Sequence, residues 1–333
     1  MLHGKVVVVT GASSGVGRAI ARAAGGRGAC VALMARGIDG LEASAREVEQ
    51  AGGKSLVVSL DLADPGAVDA ATEQVVSTWG RIDAWVNNAM VSVFAPICEM
   101  TPEEYRRVLE VNFLGTVHGT LTALKYMRPH DRGVIVQIGS ALAYRSIPLQ
   151  SAYCASKAAV RGFTDSLRCE LLHERSGIKV TMLQLPAVNT PQFDVVRNKL
   201  GKHARPVPPT YQPEVIARAV LYAIEHPARE MWIGWTTIKA IVGQRLVPGL
   251  LDRYLANMAW HAQMTDLLPP TGRDNLQSPL PGDRGAHGSF DREARSFSTQ
   301  LWARTHRGAV TLTAVFLVLM GVATARKLIR AFG

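Results

Sequence analysis

The sequence predicts an α/β fold: a doubly wound parallel sheet with helices on both faces. Short apolar runs alternate with helical stretches through roughly the first 245 residues, which is typical of repeated βαβ units. The apolar runs are nearly continuous, as expected for strands that are covered on both faces. A cluster of glycines follows the first apolar run, where such folds make their first tight turn.

Six apolar runs are predicted as buried strands because they are short and rich in Val, Ile and Leu. They cover residues 6–9, 30–34, 56–60, 84–87, 134–138 and 180–185. Residues 231–234 are a candidate for a last strand.

Helical stretches separate these strands. One begins at Thr101-Pro-Glu-Glu104, where Thr101 is placed to cap the helix, proline takes its first position and two acids lie in its first turn. The other predicted helices cover residues 18–24, 41–51, 65–79, 151–175 and 213–226.

The composition changes after about residue 245, where the predicted α/β domain (residues 1–245) ends. An apolar segment at residues 246–262 leads into residues 269–289, which hold four prolines and four glycines among polar residues. That composition indicates loop or linker material with little capacity to form a core. We therefore predict an extension with a Pro/Gly-rich linker over residues 246–307.

Residues 308–325 are eighteen residues without a charge, flanked by Arg304 and Arg307 before them and by Arg326 and Lys327 after them. As a helix, this run would span about 27 Å, close to the ~30 Å hydrocarbon thickness of a bilayer. Because it is apolar on every face, we predict a transmembrane or membrane-anchor helix. The alternative is a buried C-terminal helix at a subunit interface.

The formal net charge of +10 suggests an acidic partner, namely nucleic acid, an anionic membrane or a phosphorylated cofactor. The Arg and Lys residues are scattered, so we predict no nucleic-acid partner. A solvated surface with excess arginine would also explain the charge.

The four cysteines, Cys30, Cys98, Cys154 and Cys169, form no C-x-x-C pair, and no His cluster has metal-ligand spacing. We expect reduced thiols and no metal site. Strand-like sequence begins almost at once, without a signal-peptide core, so we predict a cytoplasmic domain tethered to the membrane by its C-terminus.

The glycine cluster reads Thr10-Gly-Ala-Ser-Ser-Gly-Val-Gly17 and lies between a predicted strand and a predicted helix. Glycine allows a tight turn and a close approach of the backbone to a pyrophosphate, which the helix N-terminus then binds through free N–H groups. The alternative is an ordinary strand-to-helix turn. The position in the first βα unit favours phosphate binding.

Arg36 follows the second predicted strand, which in such folds ends beside the adenosine ribose. An arginine there suits a 2′-phosphate and therefore predicts NADP(H), although an ordinary surface arginine is the alternative. Asp61, at the end of the third strand, could reach the adenine edge. A helix N-cap is an equally simple role for Asp61 or Asp64.

Tyr153 and Lys157 are spaced four residues apart on a predicted helix, so their side chains share one face. A neighbouring ammonium favours phenolate, and we expect it to lower the tyrosine pKa from its ordinary value near 10 toward neutrality. Ser140 lies just past a strand end, where its hydroxyl could bond to a substrate oxygen. Taken alone, such a pair is usually a packed tyrosine and a solvated lysine.

Together these motifs make the chain resemble the short-chain dehydrogenase/reductase family, whose domain is of the Rossmann type. The resemblance covers roughly residues 3–245. Its motifs, in the order of the family, are residues 10–17, Asp61-Leu62, Asn87-Asn-Ala89, Asn112, Ser140, Tyr153-x-x-x-Lys157, Pro186 and Thr190.

The resemblance implies a catalytic set of four residues. Tyr153 would protonate the carbonyl oxygen or deprotonate the alcohol, and Ser140 would position and polarise that oxygen. Lys157 would lower the tyrosine pKa and bind the nicotinamide ribose, while Asn112 would hold a water that relays protons to Lys157.

The resemblance also implies an NADP(H) site and a homodimer or homotetramer that pairs through the helix carrying Tyr153. The implied cofactor-binding residues are Thr10, Gly11, Ser13, Ser14, Gly15, Val16, Gly17, Arg36, Asp61, Leu62, Asn88, Ala89, Tyr153, Lys157, Val188 and Thr190.

The chain departs from the family pattern at two places. Met90 replaces a usual glycine, and the loop Pro186-Ala-Val-Asn-Thr190 has alanine for glycine and one residue fewer before the threonine. Residues 192–209 fall where the family builds a mobile lid, and they carry five basic side chains. Such a lid could attract an anionic substrate or lipid head groups, or it could be a solvated loop.

We therefore expect an NADP(H)-dependent oxidoreductase that reduces a carbonyl, or oxidises the corresponding alcohol, of a small lipophilic substrate. The alternatives are an epimerase on the same scaffold and a non-catalytic NADP-binding scaffold at a membrane.

Overall fold

A sheet of parallel strands forms the centre of the molecule. The computed structural model describes residues 2–269, 272–306 and 308. Over these residues the strands are β1 (Val6–Thr10), β2 (Cys30–Ala35), β3 (Lys54–Ser59), β4 (Ala84–Asn87), β5 (Val93–Phe94), β6 (Val134–Ile138), β7 (Lys179–Gln184), β8 (Arg197–Asn198), β9 (Thr210–Tyr211), β10 (Glu230–Trp232) and β11 (Ala294–Arg295).

The central sheet has seven strands in the order β10-β7-β6-β4-β1-β2-β3, and every neighbouring pair is parallel. The chain starts in the middle, builds outward through β2 and β3, and then returns to the other side of β1. The winding direction therefore reverses between β1 and β4, and ligands of such folds bind at the carboxyl ends of the strands beside that reversal. The predicted fold class is confirmed.

Helices connect the strands and cover both faces of the sheet. They are α1 (Gly15–Gly25), α2 (Ile38–Gln50), α3 (Pro65–Trp79), α4 (Pro102–Leu109), α5 (Gly115–Met127), α6 (Ser151–His173), α7 (Gln192–Val195), α8 (Pro213–Glu225), α9 (Trp235–Leu246), α10 (Pro248–Ala262) and α11 (Thr299–Thr305).

The alternation of side chains along β1 shows how one strand serves two cores. Val7 and Val9 pack into the apolar cluster under α1, α2 and α8, while Val6 and Val8 pack into the cluster under α3, α5 and α6. All four are almost fully buried. Because burial of one such side chain contributes about 1.5–3 kcal/mol, the continuous valine run stabilises both layers at once.

The predicted elements differ from the structure mainly at their ends. The third strand begins at Lys54, two residues earlier than predicted, because Lys54 stays in register with Cys30 of β2. The helix that begins at Pro102 passes through a π-helical turn at Glu110–Leu114 before it continues as α5. Helices α9 and α10 were not predicted, since their apolar residues lack a clear one-sided pattern.

Residues 272–291, which we call the C-terminal strap, run back over the α/β domain. The sequence indicates a linker here, and the strap contains little regular structure, but Leu276, Ala286 and Phe290 are buried. After the strap, β11 pairs with β9. The division of the chain at residues 245 and 307 stays a prediction.

The predicted membrane run at residues 308–325 lies outside the described residues, apart from Gly308. Within residues 2–269, 272–306 and 308, no helix combines the length and the apolar character that a membrane crossing requires.

The cap of α3 provides a test of the fold. Asp64 accepts hydrogen bonds from the backbone N–H groups of Gly66 and Ala67, which have no partner within the helix. We expect Asp64→Ala to lower the free energy of unfolding by about 1 kcal/mol in urea denaturation. Asp69→Ala, an exposed carboxylate in the same helix, should change it by less than about 0.5 kcal/mol. Equal effects of the two variants would contradict this role of Asp64.

Candidate active site

One large cavity, of about 640 Å³, lies over the point where the sheet reverses its winding. Its walls come from residues that directly follow the carboxyl ends of β1, β2, β3, β4, β6 and β7. Residues of α9, α10 and the C-terminal strap complete it.

The glycine turn after β1 forms one end of this cavity. Gly11 and Gly15 have φ angles of +67° and +57°, which side chains rarely allow. A Cβ at Gly17 would clash with the carbonyl oxygen of Gly11, and a Cβ at Gly11 would lie 2.8 Å from the Cα of Ala89. The glycines therefore let α1 start against the strand end and leave a concave backbone surface.

Thr10 and Asn88 hold this turn from the side of the sheet. The Thr10 hydroxyl accepts hydrogen bonds from the backbone of Asn88 (2.9 Å) and Ala89 (3.1 Å), and it donates to the Val86 carbonyl (3.2 Å). The Asn88 amide donates to the Thr10 carbonyl at 2.9 Å. These bonds tie the ends of β1 and β4 together.

The predicted cofactor-binding residues at this end of the cavity thus fall into two groups. Thr10 and Gly17 shape the turn but do not line the cavity. Those that line it are Gly11, Ser13, Ser14, Gly15, Val16, Asn88 and Ala89.

Arg36 also lines the cavity, and most of its donors are engaged by the strap. Its Nη1 donates to the carbonyls of Leu276 (3.2 Å) and Gln277 (2.9 Å), and its Nη2 donates to that of Asn275 (2.6 Å). Burial and the neighbouring Arg107 cation lower the pKa of Arg36. No feature of the sequence pointed to these strap carbonyls as partners of Arg36.

Asp61 and Leu62 line the cavity beside Arg36. Asp61 pairs with Arg107 and accepts the backbone N–H of Ala63 at 3.0 Å. Burial alone would raise the pKa of Asp61, but these two hydrogen bonds outweigh it and hold the pKa below its usual value. Asp64, and not Asp61, caps the following helix.

Tyr153 and Lys157 lie together in the wall of the cavity, as their spacing predicts, and Ser140 lines the same cavity. The Ser140 hydroxyl accepts the backbone N–H of Leu142 at 3.1 Å and acts to lower the pKa of the neighbouring Tyr153 phenol. Lys157 Nζ lies 5.7 Å from the centre of the phenol ring. Lys157 Nζ donates to the Ile138 carbonyl at 2.7 Å, which fixes the ammonium beneath the strand end.

Burial dominates the electrostatics of this group. It raises the pKa of Tyr153 to about 12, and the neighbouring Ser140 hydroxyl opposes the rise only in part. Burial also lowers the pKa of Lys157 to about 8. The predicted direction for the Tyr153 pKa is therefore wrong, because the prediction counted the nearby ammonium and neglected the loss of hydration.

Asn112 lies fully buried in the π-helical turn and does not line the cavity. Its Oδ1 accepts the backbone N–H of Val91 at 2.8 Å. Its Nδ2 donates to the Val91 carbonyl at 2.9 Å and to Ser156 Oγ at 3.1 Å. Ser156 in turn donates to the Tyr153 carbonyl at 2.7 Å. The Asn112 side chain thus fastens the first turn of α6, and the implied proton relay stays a prediction.

Val188 and Thr190 line the cavity, Thr190 lies against Gly15 of the glycine turn, and the altered loop between them is well anchored. Buried Asn189 donates to Gln212 Oε1 at 3.1 Å and to Asp291 at 2.8 Å. Met90 lies in the cavity wall.

The far part of the cavity is mainly apolar and comes from elements that the sequence did not predict as helices. Helix α9 lies beside residues 141–143, and Arg145 joins it to α10 through Gln244 and Asp252. The apolar residues that line this part are Leu142, Ile147, Leu251, Tyr254, Leu255 and Met258.

The five basic side chains of the segment 192–209 are all paired. Arg197 and Lys199 form ion pairs with Glu104, and Arg205 pairs with Glu293. Lys202 pairs with Asp266, and His203 bonds to Asp194 at 2.9 Å. Their charges are therefore largely neutralised within the molecule, which weakens the expectation of an anion-attracting lid.

Comparison with known proteins places this geometry in a family. A protein-family model described as short chain dehydrogenase matches residues 5–201 of this chain. The uncharacterized oxidoreductase YxnA of Bacillus subtilis is 34% identical over 311 residues, covering 91% of this chain and 86% of YxnA. The fatty acyl-CoA reductase of Acinetobacter baylyi is 34% identical over 225 residues, covering 67% of this chain and 74% of that protein.

A solved structure of an oxidoreductase has a similar fold. An alcohol dehydrogenase from the archaeon Thermococcus sibiricus, complexed with 5-hydroxy-NADP, matches with a TM-score of 0.61 at 28% identity. The match covers 69% of this chain and 96% of that one. The chain is thus an oxidoreductase that belongs to the short chain dehydrogenase family.

Proposed function

We propose that the protein is an NADP(H)-dependent carbonyl reductase in which Tyr153 transfers the proton. The observation that carries this proposal is the joint placement of Tyr153, Ser140 and Lys157 in the wall of one cavity that also contains the glycine turn. A site that only binds a nucleotide has no need of a buried phenol beside an ammonium.

The residues of the cavity fit NADP(H). The glycine turn offers a concave backbone surface at a helix N-terminus, where side chains would collide, and this suits a pyrophosphate. Arg36 lines the cavity at the end of β2, where its guanidinium, held by strap carbonyls, adds positive charge that suits a 2′-phosphate, and the Thermococcus relative was solved with an NADP-type ligand. When bound, NADP(H) supplies the hydride.

The protein residues then handle the oxygen and its proton. Ser140 donates a hydrogen bond to the carbonyl oxygen and polarises it, while Tyr153 gives that oxygen its proton. A phenol whose pKa is raised to about 12 holds this proton at neutral pH, which suits the direction of reduction. Lys157, still protonated at pH 7, stabilises the phenolate that forms.

We propose a lipophilic substrate because of the walls around the far part of the cavity. Leu142, Ile147, Leu251, Leu255 and Met258 present apolar surface there. Such walls favour alkyl or ring groups over charged ones. The similarity to a fatty acyl-CoA reductase agrees with this class.

We further propose that residues 308–325 tether the protein to a membrane. Large apolar side chains on α9 and α10 are exposed near the cavity, including Leu246 (73%), Leu250 (66%) and Tyr254 (55%). A nearby bilayer would cover them and deliver a lipophilic substrate. The predicted homodimer or homotetramer stays a prediction.

Replacing Tyr153 by Phe tests the chemistry. We expect Tyr153→Phe to lower kcat for NADPH-dependent reduction by about a thousandfold or more, because the proton donor is lost. The Kd for NADPH should change less than about threefold. The measurement is NADPH oxidation against a panel of carbonyls of increasing chain length in detergent, with fluorescence titration for the Kd.

Tyr126→Phe is the matched control, since Tyr126 does not line the cavity and packs against the apolar cluster under α3, α5 and α6. An unchanged turnover in Tyr153→Phe would remove the phenol from the mechanism and favour a binding scaffold. Turnover that interconverts stereoisomers without net use of NADPH would favour an epimerase.

The pH profile tests the role of Lys157. Its pKa near 8 lies below the ordinary lysine value, so its positive charge is present at pH 7 and is lost as the pH rises through 8. Tyr153, with a pKa near 12, keeps its proton over the same range. We expect kcat/KM for reduction to fall by up to about tenfold per pH unit above pH 8. A profile that stays flat to pH 9.5 in folded protein would contradict this.

The tether is tested with the full chain. We expect the wild-type protein to sediment with carbonate-washed membranes. Leu317→Arg should shift it to the soluble fraction, because a charge at the centre of a span costs about 2.5–3.5 kcal/mol. Leu317→Ile, the control, should remain with the membranes. A wild-type protein that is already soluble would contradict the tether.

A further inference from the structure

The C-terminal strap crosses the glycine end of the cavity along a continuous line of contacts. The backbone N–H of Gly282 donates to Asp39 at 2.6 Å, and Asp283 forms an ion pair with Arg18. The carbonyl of Gly285 accepts the backbone N–H of Gly15 at 3.0 Å. The strap therefore lies directly beside the turn that would hold phosphates.

Arg284 lies between two of these contacts and lines the cavity. Its neighbours Asp283 and Gly285 are held by Arg18 and Gly15, so the backbone on both sides of it is fixed. Arg284 itself is only half-buried, and it makes no ion pair or hydrogen bond with any residue in the part of the chain that the structure describes.

The other arginines around this end of the cavity are already engaged. Arg18 pairs with Glu47 as well as with the strap, and Arg107 pairs with Asp61. Arg36 gives three hydrogen bonds to strap carbonyls. Among the described residues Arg284 thus has no ion-pair partner, and its positive charge lies in the wall of the cavity that contains the concave glycine turn, where an anion is favoured.

We propose that Arg284 binds a phosphate of NADP(H) and that the strap closes over the bound cofactor. A guanidinium can donate two parallel hydrogen bonds to phosphate oxygens, which makes it a strong partner for this group. The strap leaves Ser13, Ser14 and Val16 facing the cavity, so it covers the phosphate site without filling it. This inference concerns cofactor binding alone and does not depend on Tyr153 or on the substrate.

The position of Arg284 suits either the pyrophosphate or the 2′-phosphate, and two cofactors separate these cases. NADPH carries both groups, whereas NADH carries only the pyrophosphate. In Arg284→Ala we expect the Kd for NADPH, measured by fluorescence titration, to rise about tenfold or more. An equal rise for NADH identifies the pyrophosphate, and a rise for NADPH alone identifies the 2′-phosphate. Affinities for both cofactors within twofold of wild type would overturn the proposal.

Matched variants separate charge from structure. Arg292→Ala removes one exposed arginine that follows the strap but does not line the cavity, and it should leave both Kd values unchanged. Arg284→Lys keeps the charge and should retain most of the affinity. Among the described residues Arg284 has no partner, and Arg292 is exposed, so all three variants should unfold at the wild-type temperature.

Hydrogen exchange in the full-length protein, wild type and Arg284→Ala, tests the closure of the strap. We expect NADPH to slow amide exchange in peptides that cover residues 275–288, and this slowing should be reduced in Arg284→Ala. Faster exchange on addition of NADPH would show that the cofactor displaces the strap, and it would overturn the proposed clamp.

Discussion

The close approach of α1 to the end of β1 is the constraint on which the rest of this molecule depends. Only glycine at positions 11 and 17 lets the helix begin so near the strand, because a methylene group there would collide with backbone atoms. The same approach brings Ala89, at the end of β4, against the turn. One steric condition thus positions the strand ends, the start of the first helix and the floor of the cavity.

The second determinant is the removal of water from Tyr153 and Lys157. Both groups are held in place by backbone-directed bonds, Lys157 through the Ile138 carbonyl and α6 through Ser156 and Asn112. Loss of hydration disfavours the charged form of each group, so it raises the pKa of Tyr153 and lowers the pKa of Lys157. The pair is therefore set by its surroundings as much as by the helical spacing that brings it together.

The sequence predicts the parts of the structure that depend on local pattern. The apolar runs located the central strands, and the i, i+4 spacing correctly placed Tyr153 and Lys157 together. The direction of the Tyr153 pKa could not be predicted, because burial depends on what covers the helix. The partners of Arg36 and Arg18 could not be predicted either, because they lie about 240 and 265 residues further along the chain. The composition of that Pro/Gly-rich segment does not indicate which residues it contacts.

These long separations also bear on the order in which the molecule is assembled. The βαβ units pair strands that are close in sequence and can form while later residues are still being synthesised. The strap joins the glycine end of the cavity only after almost three hundred residues have been made. Closing so large a loop costs conformational entropy, so it is slower than local folding. A ribosome-bound intermediate with a complete sheet would thus hold an open cleft, and full cofactor retention would arise only once residues 272–291 have docked.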